Sequence, residues 1–194
     1  FPTRRSSDLL GELKAEGCDE LVVLSLYPQN ALSTTGVVAD KTLAALSALD
    51  WHPQTKLVGY YSAHLLYLEA IAASIRAAGF DSSAGDKLLF AFHSIPVRDI
   101  RNGDDYEDKA RATANAVARL LELDVQDWAL GFQCRFDKAR SWLGPFIPEA
   151  LQTLGAPRGR LFVVAPNFSI DCLETLYDID IELRQQVCED PALQ

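Results

Sequence analysis

Glu174, Asp178 and Glu182 recur at steps of four within Pro166–Glu182 (PNFSIDCLETLYDIDIE), which puts three carboxylates on one face of a helix. Like charges at this spacing destabilise a helix unless a cation answers them, and a hard or borderline divalent metal is the natural partner. At 3.6 residues per turn each step of four drifts by about 40°, so only a locally widened, π-like turn stacks the three in line. The plainer alternative is a solvated acidic face. A second reactive group is His93, which closes the run KLLFAFH and precedes Ser94-Ile95-Pro96, a stiff turn that would hold its imidazole at a strand end. Neutral imidazole accepts protons near neutral pH and ligates iron or zinc. Taken alone, a strand-end histidine is more often a hydrogen-bonded loop residue. His52 and His64 lack even that context and are read as structural. Trp142, in SWLGPFIP, is either a core anchor or the wall of an aromatic ligand site.

The elements that must position these residues alternate. LVVLSLYP (Leu21–Pro28) is an apolar, β-rich run that reads as a buried strand, and Lys56–Tyr61 is a second. Between them, Ser33-Thr34-Thr35 offers cap oxygens ahead of a helix over Val37–Leu49. Tyr67–Ala78 is helical and closes at Gly79. Asp81–Asp86 is a polar joint. Lys87–His93, Asp127–Gln133 and Arg160–Ala165 are further strands, and helices are expected over Tyr106–Leu123, Phe146–Leu154 and Ile170–Val187, with Ser94–Asp105 a loop. Strands alternating with helices imply an α/β fold of parallel, Rossmann-like sheets with flanking helices, wound by right-handed crossovers. Ligands in such sheets sit beyond the carboxyl ends of the strands, where His93, Tyr27 and the Pro166–Asp171 loop all fall.

Composition narrows the class. The 194 residues are 48% hydrophobic and 23% charged, enough for a real core. The net charge of −9 argues against nucleic acid and against an anionic membrane surface, and it agrees with a cationic or metal substrate. No apolar run approaches the roughly 18 residues of a membrane span and no signal peptide opens the chain, so the cytoplasm is the expected location. Cys18, Cys134, Cys172 and Cys188 form no C-x-x-C pair and are read as reduced thiols. There is no G-x-G-x-x-G after a strand, no G-K-[ST] and no G-x-S-x-G, which leaves nucleotide binding and serine hydrolysis without a motif. Phe1–Leu9 (FPTRRSSDL) reads as a translated sequencing adapter and is set aside. With no Met in the chain, an upstream start is expected.

Five motifs stand in order: LYPQ (Leu26–Gln29), HSIP (His93–Pro96) with GDDY (Gly103–Tyr106) behind it, GFQCR (Gly131–Arg135), WLGP (Trp142–Pro145) and DCLETL (Asp171–Leu176). This set resembles the ferrochelatase family over Leu10–Val187. The resemblance implies two Rossmann-like lobes of chelatase type around a porphyrin cleft, the first lobe truncated. Residues 10–80 would be the remainder of the N-terminal lobe and 81–194 a C-terminal lobe lacking its final segment. It further implies insertion of ferrous iron into protoporphyrin IX, with His93 and Glu174 catalytic. His93, Glu174, Asp178 and Glu182 would handle metal, and Tyr27 and Trp142 would bind substrate. Iron is then a substrate, and no tightly bound cofactor is expected. Leu32 stands where many members have a cysteine, some of them using it as a cluster ligand, which counts against a [2Fe–2S] centre. Between Arg135 and Trp142 the family's Gly and Pro are missing. Coproporphyrin III, another tetrapyrrole chelation, and non-catalytic porphyrin or haem binding stay open as alternatives. So do oligomeric state and peripheral membrane association. The 194-residue chain alone is expected to be nearly inactive.

Overall fold

The computed structural model describes residues 6–135 and 137–190. Residues 1–5 of the set-aside N-terminal segment lie outside them. The chain divides between Tyr61 and Ser62 into two compact units. That division falls upstream of the Asp81–Asp86 joint, so the helix before the joint belongs to the second unit.

In the first unit, α1 (Ser6–Ala15) begins inside the set-aside segment and sends Leu10 into a small core with Leu21 and Leu46. Strands β1 (Glu20–Leu24) and β2 (Gln54–Val58) pair in parallel from Glu20↔Gln54 to Leu24↔Val58. Strand β1 is shorter than the expected Leu21–Pro28, its ladder stopping at Leu24↔Val58 where β2 also ends, and further on Pro28 O accepts from Tyr61 N at 3.2 Å. A π-turn over Leu32–Gly36, unforeseen from the sequence, leads into α2 (Val37–Ala48). Thr34 Oγ1 closes the start of the π-turn by accepting from Ala31 N at 3.0 Å, whereas α2 itself, expected to be capped by the Ser/Thr cluster, begins after Gly36 with no side-chain cap.

The second unit starts with α3 (Leu65–Ala77), which ends at Gly79 with φ +82°, as expected of a left-handed C′ glycine. Strand β3 (Lys87–His93) is the centre of a three-stranded parallel sheet of order β4-β3-β5, with β4 at Trp128–Gln133 and β5 at Leu161–Val164. Leu88 through Phe92 are wholly buried, as a central parallel strand covered on both faces requires. Leu89 and Ala91 meet α6 (Ile147–Leu154) and Leu183 on one face. Gly131 on β4 makes that packing possible, since a Cβ there would stand 2.9 Å from Ile147 Cα. Across the other face, α5 (Tyr106–Leu120) buries Tyr106, Ala110, Thr113, Ala114 and Val117 at helical spacing and packs along α3. The loop expected at Ser94–Asp105 contains a short helix, α4 (Val97–Arg101).

Asp86, 1% exposed, ties the joint to β5 by accepting from Asp81 N at 3.0 Å, Arg160 N at 2.7 Å and Arg160 Nη2 at 2.9 Å. Burial alone would raise its pKa, but these donors and the Arg160 charge outweigh it and hold the carboxyl below its ordinary value. A carboxyl depressed in the folded state adds stability above its unfolded pKa, and that stability drains away as pH falls through the lower folded value. Asp86→Asn should therefore cost about 2 kcal/mol at pH 7, discounted because Arg160 is largely exposed. In denaturant titrations the gap between variant and wild type should narrow below about pH 4; a gap independent of pH would show that shape rather than charge matters here.

Candidate active site

Strand β3 outruns its neighbour. Pairing with β5 stops at Phe90↔Val164, whereas β3 runs on to His93, still in register with Gln133 at the end of β4. Pro166 follows β5 and has no N–H with which to extend the ladder. Two phenols, Tyr106 buried and Tyr67 half-buried, finish the edge instead: Tyr106 Oη donates to His93 O at 2.7 Å, and Tyr67 Oη donates to Pro166 O. Burial, with the nearby Asp104 carboxylate, raises the Tyr106 pKa, so the phenol keeps its proton for this bond. Asp104 Oδ1 accepts from Tyr106 N at 3.0 Å and fixes the start of α5. The GDDY motif thus serves the histidine's backbone.

The imidazole is oriented from its own turn. His93 Nδ1 lies 2.6 Å from Ser94 O, which can only accept, so Nδ1 carries the proton and Nε2 the lone pair. The Phe168 ring stands edge-on to it at 6.4 Å. The HSIP turn is sewn to the WLGP segment: Ser94 Oγ donates to Leu143 O at 2.8 Å, Leu143 N to Ile95 O at 2.9 Å, and Pro96 bridges Trp142. Trp142 is half-buried, its indole N–H bonded to Asp137 O at 3.0 Å, so two distant motifs meet at one rim.

The acidic stretch forms the widened helix its spacing demanded. A π-helix runs over Glu174–Leu183 and passes into α7 (Arg184–Glu189), replacing the single helix expected over Ile170–Val187. Glu174 and Asp178 are half-buried and Glu182 is exposed. Each of the first two has a thiol beside it. Cys134 Sγ donates to Asp178 Oδ2 at 3.3 Å, and Cys172 hydrogen-bonds Glu174. Burial, then the bond to Asp178, pushes the Cys134 thiol up to about 12, so it stays a neutral donor. Glu174 is held below its ordinary value, chiefly by the Cys172 bond and a backbone N–H, and a proton taken up by the His93 imidazole acts in the same direction. A cavity of about 500 Å³ opens beside this line, walled by Gln133, Arg135, Phe146, Glu149, Asp178 and Glu182.

Of the residues expected in the site, His93, Glu174, Asp178 and Trp142 lie about one strand end, and Glu182 continues the line outward. Tyr27, exposed, belongs to the first unit. The four residues expected to hold metal do not make one coordination sphere: among the described residues no three His, Cys, Asp or Glu side chains converge on a metal-sized point. Successive turns set their Cβ atoms roughly 5–6 Å apart, which spaces them as stations along a path. The four cysteines are free thiols, as expected, but the partnership of Cys134 and Cys172 with the carboxylates was missed, since no spacing rule links residue 134 to residue 178. Tyr67 was missed too. The sequence signal that could have found it is Pro166, which announces a ladder that must be completed by other donors.

A parallel α/β unit with an imidazole at its strand end and a file of carboxylates on a π-helix beside it brings together groups that can accept protons and attract a cation. Comparison with known proteins is specific. The sequence model of the ferrochelatase family matches residues 3–192. The ferrochelatase of Aromatoleum aromaticum is 40% identical over 179 residues, 92% of this chain and 49% of that protein. Those of Nitrosococcus oceani and Methylococcus capsulatus are 38% and 40% identical, covering 88% and 87% of the chain and 46% and 52% of their own lengths. The chain belongs to the ferrochelatase family, and it spans about half the length of the curated relatives it matches. Among the described residues no helix is long and apolar enough to cross a membrane.

Tyr106→Phe keeps the ring and removes only the donor to His93 O. It should leave thermal stability within about 1 kcal/mol of wild type and lower the turnover number of the whole protein far more than it raises KM; a change in KM alone would mean that the phenol shapes the ligand pocket and leaves the histidine untouched.

Proposed function

We propose that the whole protein carrying this chain inserts ferrous iron into protoporphyrin IX to give protohaem, a step of haem biosynthesis. The observation that carries this reading is the pairing of a lone-pair Nε2 on His93 with the half-buried carboxylates of Glu174 and Asp178 on a π-helix. The reaction needs both. Two pyrrole protons must leave the free-base ring as one dehydrated divalent cation enters, so charge is conserved only if acceptors for two protons stand near the ring centre.

His93 Nε2 takes a proton at the ring face, and Glu174, already biased toward its charged form, relays it or ligates the incoming metal. Asp178 and then Glu182 extend this line toward solvent, where protons leave or the cation arrives. Trp142 contributes aromatic surface to the macrocycle. Bending the bound ring out of plane would move it toward its transition state. Coproporphyrin III in place of protoporphyrin is the neighbouring reading.

Free-base porphyrin fluorescence should disappear only when ferrous iron or zinc is added, with the metalloporphyrin spectrum growing in step. A spectral shift that needs no metal and goes no further would identify a porphyrin-binding module. His93→Ala should abolish insertion while sparing porphyrin affinity, because the acceptor is one group and the affinity comes from the walls. Glu174→Gln should lose at least about tenfold more rate than Glu182→Gln, a difference of roughly 1.4 kcal/mol in barrier; equal losses in steady-state assays would make the line a single unit.

A further inference from the structure

Two buried amides stand near the His93 end of β3, one closing the neighbouring strand β4 and one in the turn that follows β5. Gln133 ends β4 in register with His93, so both side chains leave the same face of the sheet, and Asn167 lies just beyond β5. Each is 8% exposed. Gln133 Nε2 and Asn167 Oδ1 have no hydrogen-bond partner among the described residues. Leaving a buried donor or acceptor unmade costs roughly 1–3 kcal/mol, so each of these atoms calls for a partner that the described residues do not supply. They are also of opposite kind. The orientation of Asn167 follows from its surroundings: Tyr106 spends its phenolic proton on His93 O and shows Asn167 a lone pair, so Nδ2 turns to it at 3.5 Å and Oδ1 is left facing away.

A ligand that satisfies both atoms must offer an acceptor near Gln133 and a donor near Asn167. Resting on the proposed function, the centre of a free-base porphyrin has this pattern, with two N–H groups and two nitrogens bearing lone pairs. The metallated ring has neither, because all four nitrogen lone pairs are then engaged by the metal and both protons have gone. We infer that Gln133 and Asn167 bind the central nitrogens of the free-base ring, Gln133 Nε2 donating to an unprotonated nitrogen and Asn167 Oδ1 accepting from a pyrrole N–H, and so distinguish substrate from product. Both contacts break as the metal enters, which weakens the hold on the finished metalloporphyrin.

The test is a pair of titrations on the whole protein, one with free-base porphyrin and one with the same ring carrying zinc, each followed by absorbance. Gln133→Met and Asn167→Ala should each weaken the free-base complex roughly fivefold and leave the zinc complex unchanged. If Gln133→Met unfolds, Gln133→Glu keeps the shape without the donor and should give the same split. The side-chain amide signals of Gln133 and Asn167 should shift with the free-base ring and not with the zinc ring. Equal weakening of both complexes would put the amides at the ring's periphery and overturn the inference, and so would no weakening of either, which would leave the orphans to ordered water. If the wild-type protein binds neither ring, the proposed function fails first and this inference with it. If both rings bind and the variants do not separate them, only the inference falls.

Discussion

The site depends on one mismatch of length: the central strand of the second unit extends three residues past the last residue of β5 that pairs with it. A buried parallel strand cannot leave backbone groups unmade at a sheet edge without a cost of kcal/mol per group. The overhang is stable because α3 and α5 each lend a phenol, Tyr67 to Pro166 O and Tyr106 to His93 O. Since backbone directions alternate along a strand, Ser94 N turns to Gln133 O on the β4 side and the His93 carbonyl turns to the side where β5 has ended. His93 therefore stands where side chains finish the sheet, with the GDDY motif and the Pro166 turn attached to that edge and WLGP attached to the turn that follows it.

Packing beneath the edge follows from the same geometry. His93 and Gln133 leave the sheet on the face that carries Leu89, Ala91 and Gly131, and that face is covered by α6 and by Leu183 of the π-helix. The helix that brings the carboxylates to the histidine is thus held by the core it covers. Its outer surface shows Leu173, Leu176, Tyr177 and Ile181, each about half exposed or more, so the apolar residues of this segment are divided between two sides and an ordinary amphipathic pattern is blurred.

That blurring explains what could be read in the sequence. The parallel strands, the α3 stop at Gly79 and the acidic π-turn were legible because each rests on local chemistry: a β-rich apolar run, a left-handed glycine, charges at a fixed step. The Leu21–Pro28 strand was overextended because apolar character outlasts the ladder, which ends at Leu24. The α1 helix was hidden by a segment whose composition looks foreign, and α4 by the prolines and polar residues around it. The Cys134 partner of Asp178 and the Tyr67 bolt could not be seen, since they join residues 44 and 99 positions apart and are fixed only by the fold.

The chemistry of those partners decides how the acidic line works. Three carboxylates at helical spacing repel one another, and the usual relief is a lysine or arginine in the next turn. Arg184 does serve Asp180 in this way, off the line. Along the line itself Asp178 is met by a thiol held neutral by burial, and Glu174 by a second thiol. A neutral donor orients a carboxylate and stabilises its charged form without cancelling it, so the negative potential that attracts a cation survives. An ammonium in the same place would stabilise the helix more and close the path. The π-helix thus carries charge that neutral donors orient and do not cancel, which fits the proton and metal path proposed for the whole protein.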